Sequence, residues 1–311
     1  MLRIAGRAKA LLPEAGGRVA RFFQSQVHGD GGFRGLSGTS DLYYTVFGIE
    51  GLSALGVDVP VDAIARYLRT FGAGEGLDFV HLACLARCWA NLPAPLLADD
   101  TREAILRRIE VSRTRDGGYA HTASPTADNS PARRGQAGGV RRSPPDDAGG
   151  TVYGCFLALA AWEDLRGELM PDVDGVVGCI ESLKAADGGY TNAPGLPCGS
   201  TPATAAAATA LRHLGRVIPR GVADWLLARH HPAGGFVAMP VAPIPDLLST
   251  ATGLHALAGM NIPLGSVREG CLGFIESVRC DEGGFRGSWA EEPPDCEYTY
   301  YALLALGHLH R

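Results

Sequence analysis

The sequence predicts an all-α fold, an α6/α6 barrel (α/α toroid) in which six helical hairpins close into a ring. Three observations lead to this prediction. A glycine-rich phrase recurs along the chain, the segments between its copies space their apolar residues as helices do, and one segment of each pair is apolar nearly all round. The chain has 311 residues, of which 46% are hydrophobic and 20% charged. That is enough to bury the core of a single domain spanning 1–311.

The repeated phrase consists of two glycines followed by phenylalanine or tyrosine. Its five clear copies end at Phe33, Tyr119, Tyr190, Phe236 and Phe285. A decayed copy begins at residue 74, where a unit of about 45 residues would place it. We interpret the phrase as a turn that leaves one helix and whose aromatic residue fills the gap between neighbouring units. The acidic residue that often precedes the glycines is not expected to be catalytic.

In each unit, one predicted helix precedes the phrase and one follows it. The helices that precede it carry charges on one face and are expected to form an outer ring: 15–27, 61–71, 99–113, 172–185, 219–230 and 264–279. The helices that follow it are apolar or small on nearly all sides and are expected to form the inner ring: Asp41–Gly56, Asp78–Leu92, Asp147–Leu165, Ser200–Leu214, Asp246–Gly259 and Asp295–Leu309. Most of the inner segments begin at an Asp or Ser suited to N-capping.

Residues 120–147 differ from the rest of the chain. They are rich in Ala, Ser, Pro, Arg and Gly, so we expect a flexible insertion in the third unit. The net charge of −5 gives no reason to expect a nucleic-acid partner. No apolar run is long enough to span a membrane, and eight cysteines without a CxxC pair fit reduced thiols. We therefore expect a cytoplasmic protein.

Residues 31–56 read GGFRGLSGTSDLYYTVFGIEGLSALG. This segment closely resembles the repeat of protein prenyltransferase β subunits, above all the geranylgeranyl transferase type, within the prenyltransferase and squalene cyclase repeat family. The resemblance implies an α/α toroid whose central funnel binds an isoprenoid diphosphate. It also implies a zinc ion that activates an acceptor thiol, and a helical α-subunit as protein partner.

The resemblance implies zinc ligands from a D-x-C motif at the start of one inner helix and a D-x-x-H motif at the start of the next. In register, Leu248 stands at the Cys position and Tyr298 at the His position. A register shifted around the ring offers an Asp and a D-x-x-H string in adjacent units. The expected metal ligands are Asp41, His81, Asp295 and Cys296. N-capping by the two aspartates, and a plain polar role for the histidine, are the alternatives.

Aromatic residues gather on the inner helices of units one, two, three and six, whereas units four and five have almost none. An aromatic half facing a half of Ala and Thr suits an elongated apolar ligand such as a prenyl chain. Core packing explains the distribution equally well. The candidate substrate-binding residues are Tyr43, Tyr44, Phe47, Phe79, Tyr153, Phe156, Tyr298 and Tyr301.

The sequence leaves three functions open, and with them whether the chain is an enzyme and which residues are catalytic. The first is a prenyltransferase-β-like protein that binds an isoprenoid diphosphate and transfers the prenyl group to a thiol from a diverged site. Arginines in the insertion would then replace the family's missing diphosphate clamp, unless they only belong to a solvated linker: Arg133, Arg134, Arg141 and Arg142.

The second function is a non-catalytic toroid that binds a lipid or a protein partner. The third is a class II terpene cyclase, which protonates an alkene with the acid of a D-x-D-D motif. Only the pairs Asp99-Asp100 and Asp146-Asp147 come near that motif, and each lacks its first Asp. Such cyclases normally have two helical domains, and this chain has room for one.

Overall fold

The structure is a computed structural model that describes residues 1–13, 15–120, 149–291 and 293–310. Within these ranges it contains thirteen α-helices and two short 3-10 helices, and the extended segments form only isolated bridges. The all-α prediction is confirmed. Beyond its first residue, the insertion expected at 120–147 lies outside the described residues.

Six helices form an inner ring. In chain order they are α3 (Leu42–Ala54), α5 (Phe79–Ala90), α7 (Val152–Arg166), α9 (Thr201–His213), α11 (Leu247–Gly259) and α13 (Cys296–Leu309). Each inner helix packs against the next, and α13 packs against α3, so the ring closes. Closure follows because every unit contacts its neighbours in the same way along a repeated sequence.

Six further helices surround this ring. They are α2 (Gly16–Ser25), α4 (Val61–Arg69), α6 (Asp99–Val111), α8 (Val173–Ser182), α10 (Arg220–Leu227) and α12 (Gly265–Ser277). Each outer helix packs against the inner helix that follows it. Each outer helix buries only one face. In α4 that face includes Ile64, Ala65 and Leu68, whereas the inner helix α3 buries most of its residues. The predicted division into outer and inner rings is therefore correct.

Every inner helix begins at a residue whose side chain accepts an N–H from the helix's own first turn. These caps are Asp41, Asp78, Thr151, Ser200, Asp246 and Asp295. The third inner helix was expected to begin at Asp147, but it begins at Val152 because Thr151 provides the cap. Asp147 itself lies outside the described residues.

The glycine phrase is a structural joint, as predicted. Gly234 has a φ of +93°, and a Cβ at this position would lie 2.0 Å from the carbonyl oxygen of Gly270, so only glycine fits between the two backbones. Where aspartate precedes the glycines, its Oδ1 accepts the N–H of the second glycine: Asp30, Asp116 and Asp187. These carboxylates hold the turn together.

A second hydrogen bond ties the phrase to the next inner helix. The backbone N–H of the aromatic residue donates to a buried threonine hydroxyl one turn inside that helix. The pairs are Phe33 with Thr45 (3.0 Å), Tyr190 with Thr204 (2.8 Å), Phe236 with Thr250 (2.9 Å) and Phe285 with Thr299 (3.0 Å). The threonine always lies four residues after the cap, a pattern that the sequence contains but that our sequence analysis missed.

The chain before α2 adds two elements that the sequence did not predict. Helix α1 (Leu2–Ala5) and a 3-10 helix (Gly6–Leu11) pack against α13 and α3. Gly307 permits this contact, because a Cβ there would lie 1.8 Å from the carbonyl oxygen of Ile4. None of the described helices is both long and apolar enough to cross a bilayer.

The hydrogen bond between Tyr190 and Thr204 predicts that Thr204→Val lowers the stability of the fold more than Thr209→Val does. Valine keeps the shape but leaves the buried N–H of Tyr190 without its acceptor, so we expect the free energy of unfolding to fall by about 1–3 kcal/mol. Thr209→Val on the same helix is the matched control, because Thr209 is half-buried and lies outside the joint. Urea unfolding of both variants tests this. Equal losses in the two variants would contradict the role given to the joint.

Candidate functional site

All six inner helices begin at the same end of the ring. The start of one inner helix is joined to the loop before the next by backbone N–H donors: Tyr153 to Asn192 Oδ1 (3.0 Å), Thr201 to Ala238 O (2.8 Å) and Leu247 to Gly287 O (2.8 Å). We call this end the mouth, and the central space that the inner helices enclose the funnel. Because outer helices cover the other faces, inner-helix residues that stay half-exposed line the funnel.

One side of the funnel is aromatic. The ring of Phe47 lies 5.1 Å from that of Tyr43 on the same helix, and 5.4 Å from Tyr301 and 5.8 Å from Tyr300 on α13. Tyr153 on α7 lies close enough to contribute to the raised pKa values of Tyr43 and Tyr301. We call Tyr43, Phe47, Tyr153 and Tyr301 the aromatic wall.

The opposite side is lined by small residues. Ala206 of α9 and Thr252 of α11 are half-buried and lie six residues after their caps, the position that Phe47 and Tyr301 hold on α3 and α13. Thr209 of α9 is half-buried one turn further on, at the position that Glu50 holds on α3. We call these three the small-residue wall. The uneven distribution expected from the sequence is present in the structure, with aromatic side chains on α3, α7 and α13 and small ones on α9 and α11.

The structure gathers five of the eight candidate binding residues on one side of the funnel: the aromatic wall, and Phe156, which is half-buried on α7. The other three have neighbours outside the wall, although the ring of Tyr44 also lies 5.5 Å from that of Tyr43. Phe79 is buried and stacks on Tyr119 of the third glycine phrase at 6.2 Å, Tyr44 packs against the loop at Gly35, and Tyr298 packs against Gly287 at the mouth. Their assignment as ligand contacts stays a prediction.

A buried carboxyl group lies within the aromatic wall. Glu297, in the first turn of α13, is 5% exposed, and the Tyr43 hydroxyl donates to its Oε1 at 2.5 Å. Burial and the neighbouring Glu297 raise the pKa of Tyr43 well above its usual value, so Tyr43 remains a hydrogen-bond donor. Sequence reasoning missed Glu297. Its position two residues after a cap, equivalent to that of Tyr43, was the available signal.

An ion-pair network lies deeper in the funnel and forms its floor. Arg87 Nη2 on α5 contacts Glu50 Oε1 on α3 at 2.5 Å, and Arg87 Nε lies 3.6 Å from Asp164 Oδ2 on α7. Glu50 is buried. Glu50 and Arg87 each lie nine residues after their caps, so one layer of the ring contributes both. No local sequence pattern marks these residues, because they lie in otherwise apolar helices.

Asp41 and His81, which the sequence pairs as metal ligands in adjacent units, meet at the mouth. His81 Nε2 lies 3.6 Å from Asp41 Oδ1, and His81 Nδ1 lies 2.8 Å from Asp78 Oδ2. The carboxylates of Asp41 and Asp78 raise the pKa of His81 to about 10 despite its partial burial. Burial raises the pKa of each carboxyl group, but His81 outweighs that effect, and both pKa values are lowered.

A zinc site of the expected kind needs three side chains that converge on one point. In the part of the chain that the structure describes, no three His, Cys, Asp or Glu side chains are arranged to hold a metal. Asp41 and His81 form an ion pair with Asp78, while Asp295 caps α13 and Cys296 is fully buried, which raises the pKa of its thiol. These residues do not fit the zinc site that the resemblance implies. Zinc binding by them stays a prediction.

The ion pairs of His81 with Asp41 and Asp78 make the stability of the fold depend on pH. A folded-state pKa of about 10, above the usual 6.5, stabilises the fold fully below about pH 6.5, and this contribution is lost as the pH rises towards 10. In metal-free buffer, we expect the stability advantage of the wild type over His81→Gln to be larger at about pH 6 than at about pH 9. Urea unfolding at both pH values measures it. His213→Gln, at an exposed pair with Glu163, is the control. An advantage that does not shrink would contradict the assignment.

The chain matches the prenyltransferase alpha-alpha toroid domain over residues 17–70, 101–237 and 205–311. A search of curated proteins finds no match. The fold resembles protein geranylgeranyltransferase-I of Candida albicans complexed with GGPP, with a TM-score of 0.65 and 14% identity over 93% of this chain and 89% of that one.

Two further solved structures share the fold. The type II terpene cyclase MstE from Scytonema, as a variant in complex with geranylgeranyl dihydroxybenzoate, has a TM-score of 0.62 and 11% identity, and 97% of each chain is covered. A protein from Actinoplanes has a TM-score of 0.59 and 16% identity over 96% of this chain and 98% of that one. At such identities the likeness shows the fold alone. With six toroid repeats in a closed ring and the domain match over most of its length, this chain belongs to the prenyltransferase alpha-alpha toroid family.

Proposed function

We propose that the chain binds an isoprenoid in its funnel, with the prenyl chain along the aromatic wall. The observation that carries this proposal is the position of the Phe47 ring, which contacts Tyr43 on its own helix and Tyr301 across the junction between the first and last inner helices. Small residues line the helices on the other side. A packed core would fill the opposite side with large side chains. Thr and Ala side chains are small, and their partial burial there is consistent with an apolar guest that contacts them.

The dimensions of the wall suit a bent apolar chain. Between Tyr43 near the mouth and Glu50 at the floor, seven residues of α3 rise about 10 Å. Aromatic rings offer large apolar faces, and apolar surface removed from water is worth about 25 cal/mol per Å². The two neighbouring proteins named above were solved with a geranylgeranyl ligand, GGPP in one and geranylgeranyl dihydroxybenzoate in the other, which supports this class of guest.

The charges at the mouth indicate which kind of head group the isoprenoid carries. His81 is paired with Asp41 and Asp78, and Glu297 adds a carboxyl group close by, so the described mouth attracts no anion. Arg87 is deeper and paired with Glu50. An uncharged head group fits these residues better than a bare diphosphate. The insertion arginines that could alter this balance lie outside the described residues.

The isoprenoid could also be a substrate, and the chain would then transfer its prenyl group to a thiol. It would need a diphosphate clamp and an activated acceptor, and the described funnel supplies neither from its own side chains. A helical α-subunit partner and a cytoplasmic location are part of this transferase proposal. Binding without catalysis needs only the aromatic wall, and it is the function that these residues support best.

Isoprenoid binding is tested with geranylgeraniol and geranylgeranyl diphosphate as probes. We expect Phe47→Ala and Tyr301→Ala to weaken geranylgeraniol binding about tenfold or more, because each removes a ring from the wall. Thr252→Ala on the opposite wall is the matched control and should change the affinity less than about threefold. Equilibrium binding of radiolabelled probe gives both values, with thermal unfolding to verify that each variant folds.

Two outcomes would contradict this proposal. No saturable binding of either probe would exclude an isoprenoid in the funnel, and equal losses in the Phe47 and Thr252 variants would exclude the aromatic wall as its site. If the diphosphate binds more than about tenfold tighter than the alcohol, then cations other than the described ones contact the head group.

A second candidate is acid-initiated cyclisation of an isoprenoid. The expected obstacle of chain length does not hold, because 97% of the MstE chain is covered by 97% of this one. Asp99 and Asp100, one partial match to the acid motif, begin the outer helix α6 and are exposed, while Asp146 and Asp147 lie outside the described residues. Glu297 is instead the carboxyl group that lies in the aromatic wall, and aromatic faces stabilise cations beside them.

Glu297→Gln distinguishes binding from cyclisation. Glutamine keeps the size and the acceptor for Tyr43 but cannot donate a carboxylic proton, so we expect turnover of a geranylgeranyl arene to fall at least about a hundredfold while binding changes less than about threefold. Glu291→Gln at the mouth is the control. Gas chromatography with mass spectrometry detects cyclised product. Absence of product from the wild type, with binding intact, would leave the binding function alone.

A further inference from the structure

A pocket of about 450 Å³ lies at the end of the ring opposite the mouth. Its walls come from the last turns of α11 and α13, from the turn after α11, and from the N-terminal segment that packs on α13. The side chains that matter for the argument are Ile4, Arg7, His255, Asn261, Ile262 and His308. None of its lining residues is among the funnel residues described above, and the function proposed for the funnel does not use it.

The charged side chains found in the lining and at the edge of this pocket are cationic. Arg7 lines it, and Arg212 lies at its edge, since its Nε is 3.0 Å from the position that a Cβ would take at Gly259. None of the described lining residues is Asp or Glu, although the whole chain has a net charge of −5. A concave site with cations and no carboxylate concentrates anions.

Two histidines supply directional polar groups in the same place. His255 Nδ1 and His308 Nε2 lie 2.9 Å apart and share a hydrogen bond. Burial, and then neighbouring positive charge, lower the pKa of His255 to about 3 and of His308 to about 4. Two neutral imidazoles have one N–H each, and their mutual bond uses one of them, so the pair keeps one N–H donor for a ligand.

Apolar side chains complete the lining. Ile4 and Ile262 are half-buried beside the polar groups, and the Asn261 amide adds a further donor. A pocket of this size with a few converging polar groups on an apolar wall is typical of small-molecule sites. The fork of an arginine binds phosphate and carboxylate oxygens alike.

We propose that this pocket binds a small molecule that carries an oxyanion, a phosphate or a carboxylate group, on an apolar body. Arg7 and the free imidazole N–H of the His255–His308 pair contact the oxyanion, and Ile4 and Ile262 contact the apolar part. The site is independent of any isoprenoid in the funnel.

Isothermal titration calorimetry of the tag-free full chain at about pH 7 tests this, with sodium diphosphate and sodium benzoate as probes and no isoprenoid present. We expect at least one probe to bind, and Arg7→Ala to weaken it about tenfold, because a charge-assisted contact is lost. Arg3→Ala is the matched control, since Arg3 lies in the same exposed segment but outside the pocket. It should change affinity less than about twofold.

The imidazole nitrogen resonances of His255 and His308 provide a second measurement, because they should shift during the titration in the unaltered chain. Preference for diphosphate assigns a phosphoryl ligand, and preference for benzoate assigns a carboxylate. The proposal is overturned if neither probe binds up to about 10 mM. It is also overturned if Arg3→Ala weakens binding as much as Arg7→Ala, or if His81→Ala at the mouth abolishes binding and Arg7→Ala does not.

Discussion

One buried hydrogen bond, present in four of the six units, is the constraint on which the ring depends. Where the chain leaves an outer helix, the aromatic residue of the glycine phrase enters the core with its backbone N–H, and a buried donor must find an acceptor. A threonine hydroxyl of the next inner helix provides it, as Thr250 does for Phe236. The same contact recurs at Thr45, Thr204 and Thr299, so four of the six units join outer turn and inner helix in the same way within the closed ring.

The backbone repeats from unit to unit but the side chains do not, so the two ends of the ring differ in charge. At the mouth, Asp41 and Asp78 flank His81, and Glu297 accepts the hydrogen bond of Tyr43. At the far end, Arg7 and Arg212 accompany neutral imidazoles and no carboxylate lines the pocket. Between them, the aromatic wall ends at an ion-pair floor. The funnel therefore suits an apolar chain with an uncharged head, and the far pocket suits an anion.

Membership of a toroid family does not decide the chemistry, because family folds carry different reactions on the same frame. The inner helices that would carry zinc ligands in register present Leu248 and Tyr298 instead. In this chain the D-x-x-H histidine is occupied by carboxylates on both ring nitrogens. The group best placed for acid chemistry is Glu297, which reaches the aromatic wall because α13 packs against α3.

The sequence by itself determined the repeat, the two classes of helix and their ends within a few residues, because glycine phrases, caps and apolar periodicity are local signals. It also indicated one aromatic half of the funnel. Only the tertiary structure decided which rings share that half, since Phe79 turns to Tyr119 while Tyr43 meets Glu297, 254 residues away in sequence. Ring closure and the docking of the N-terminal segment bring together residues that no local pattern connects, such as His255 and His308 beside Arg7.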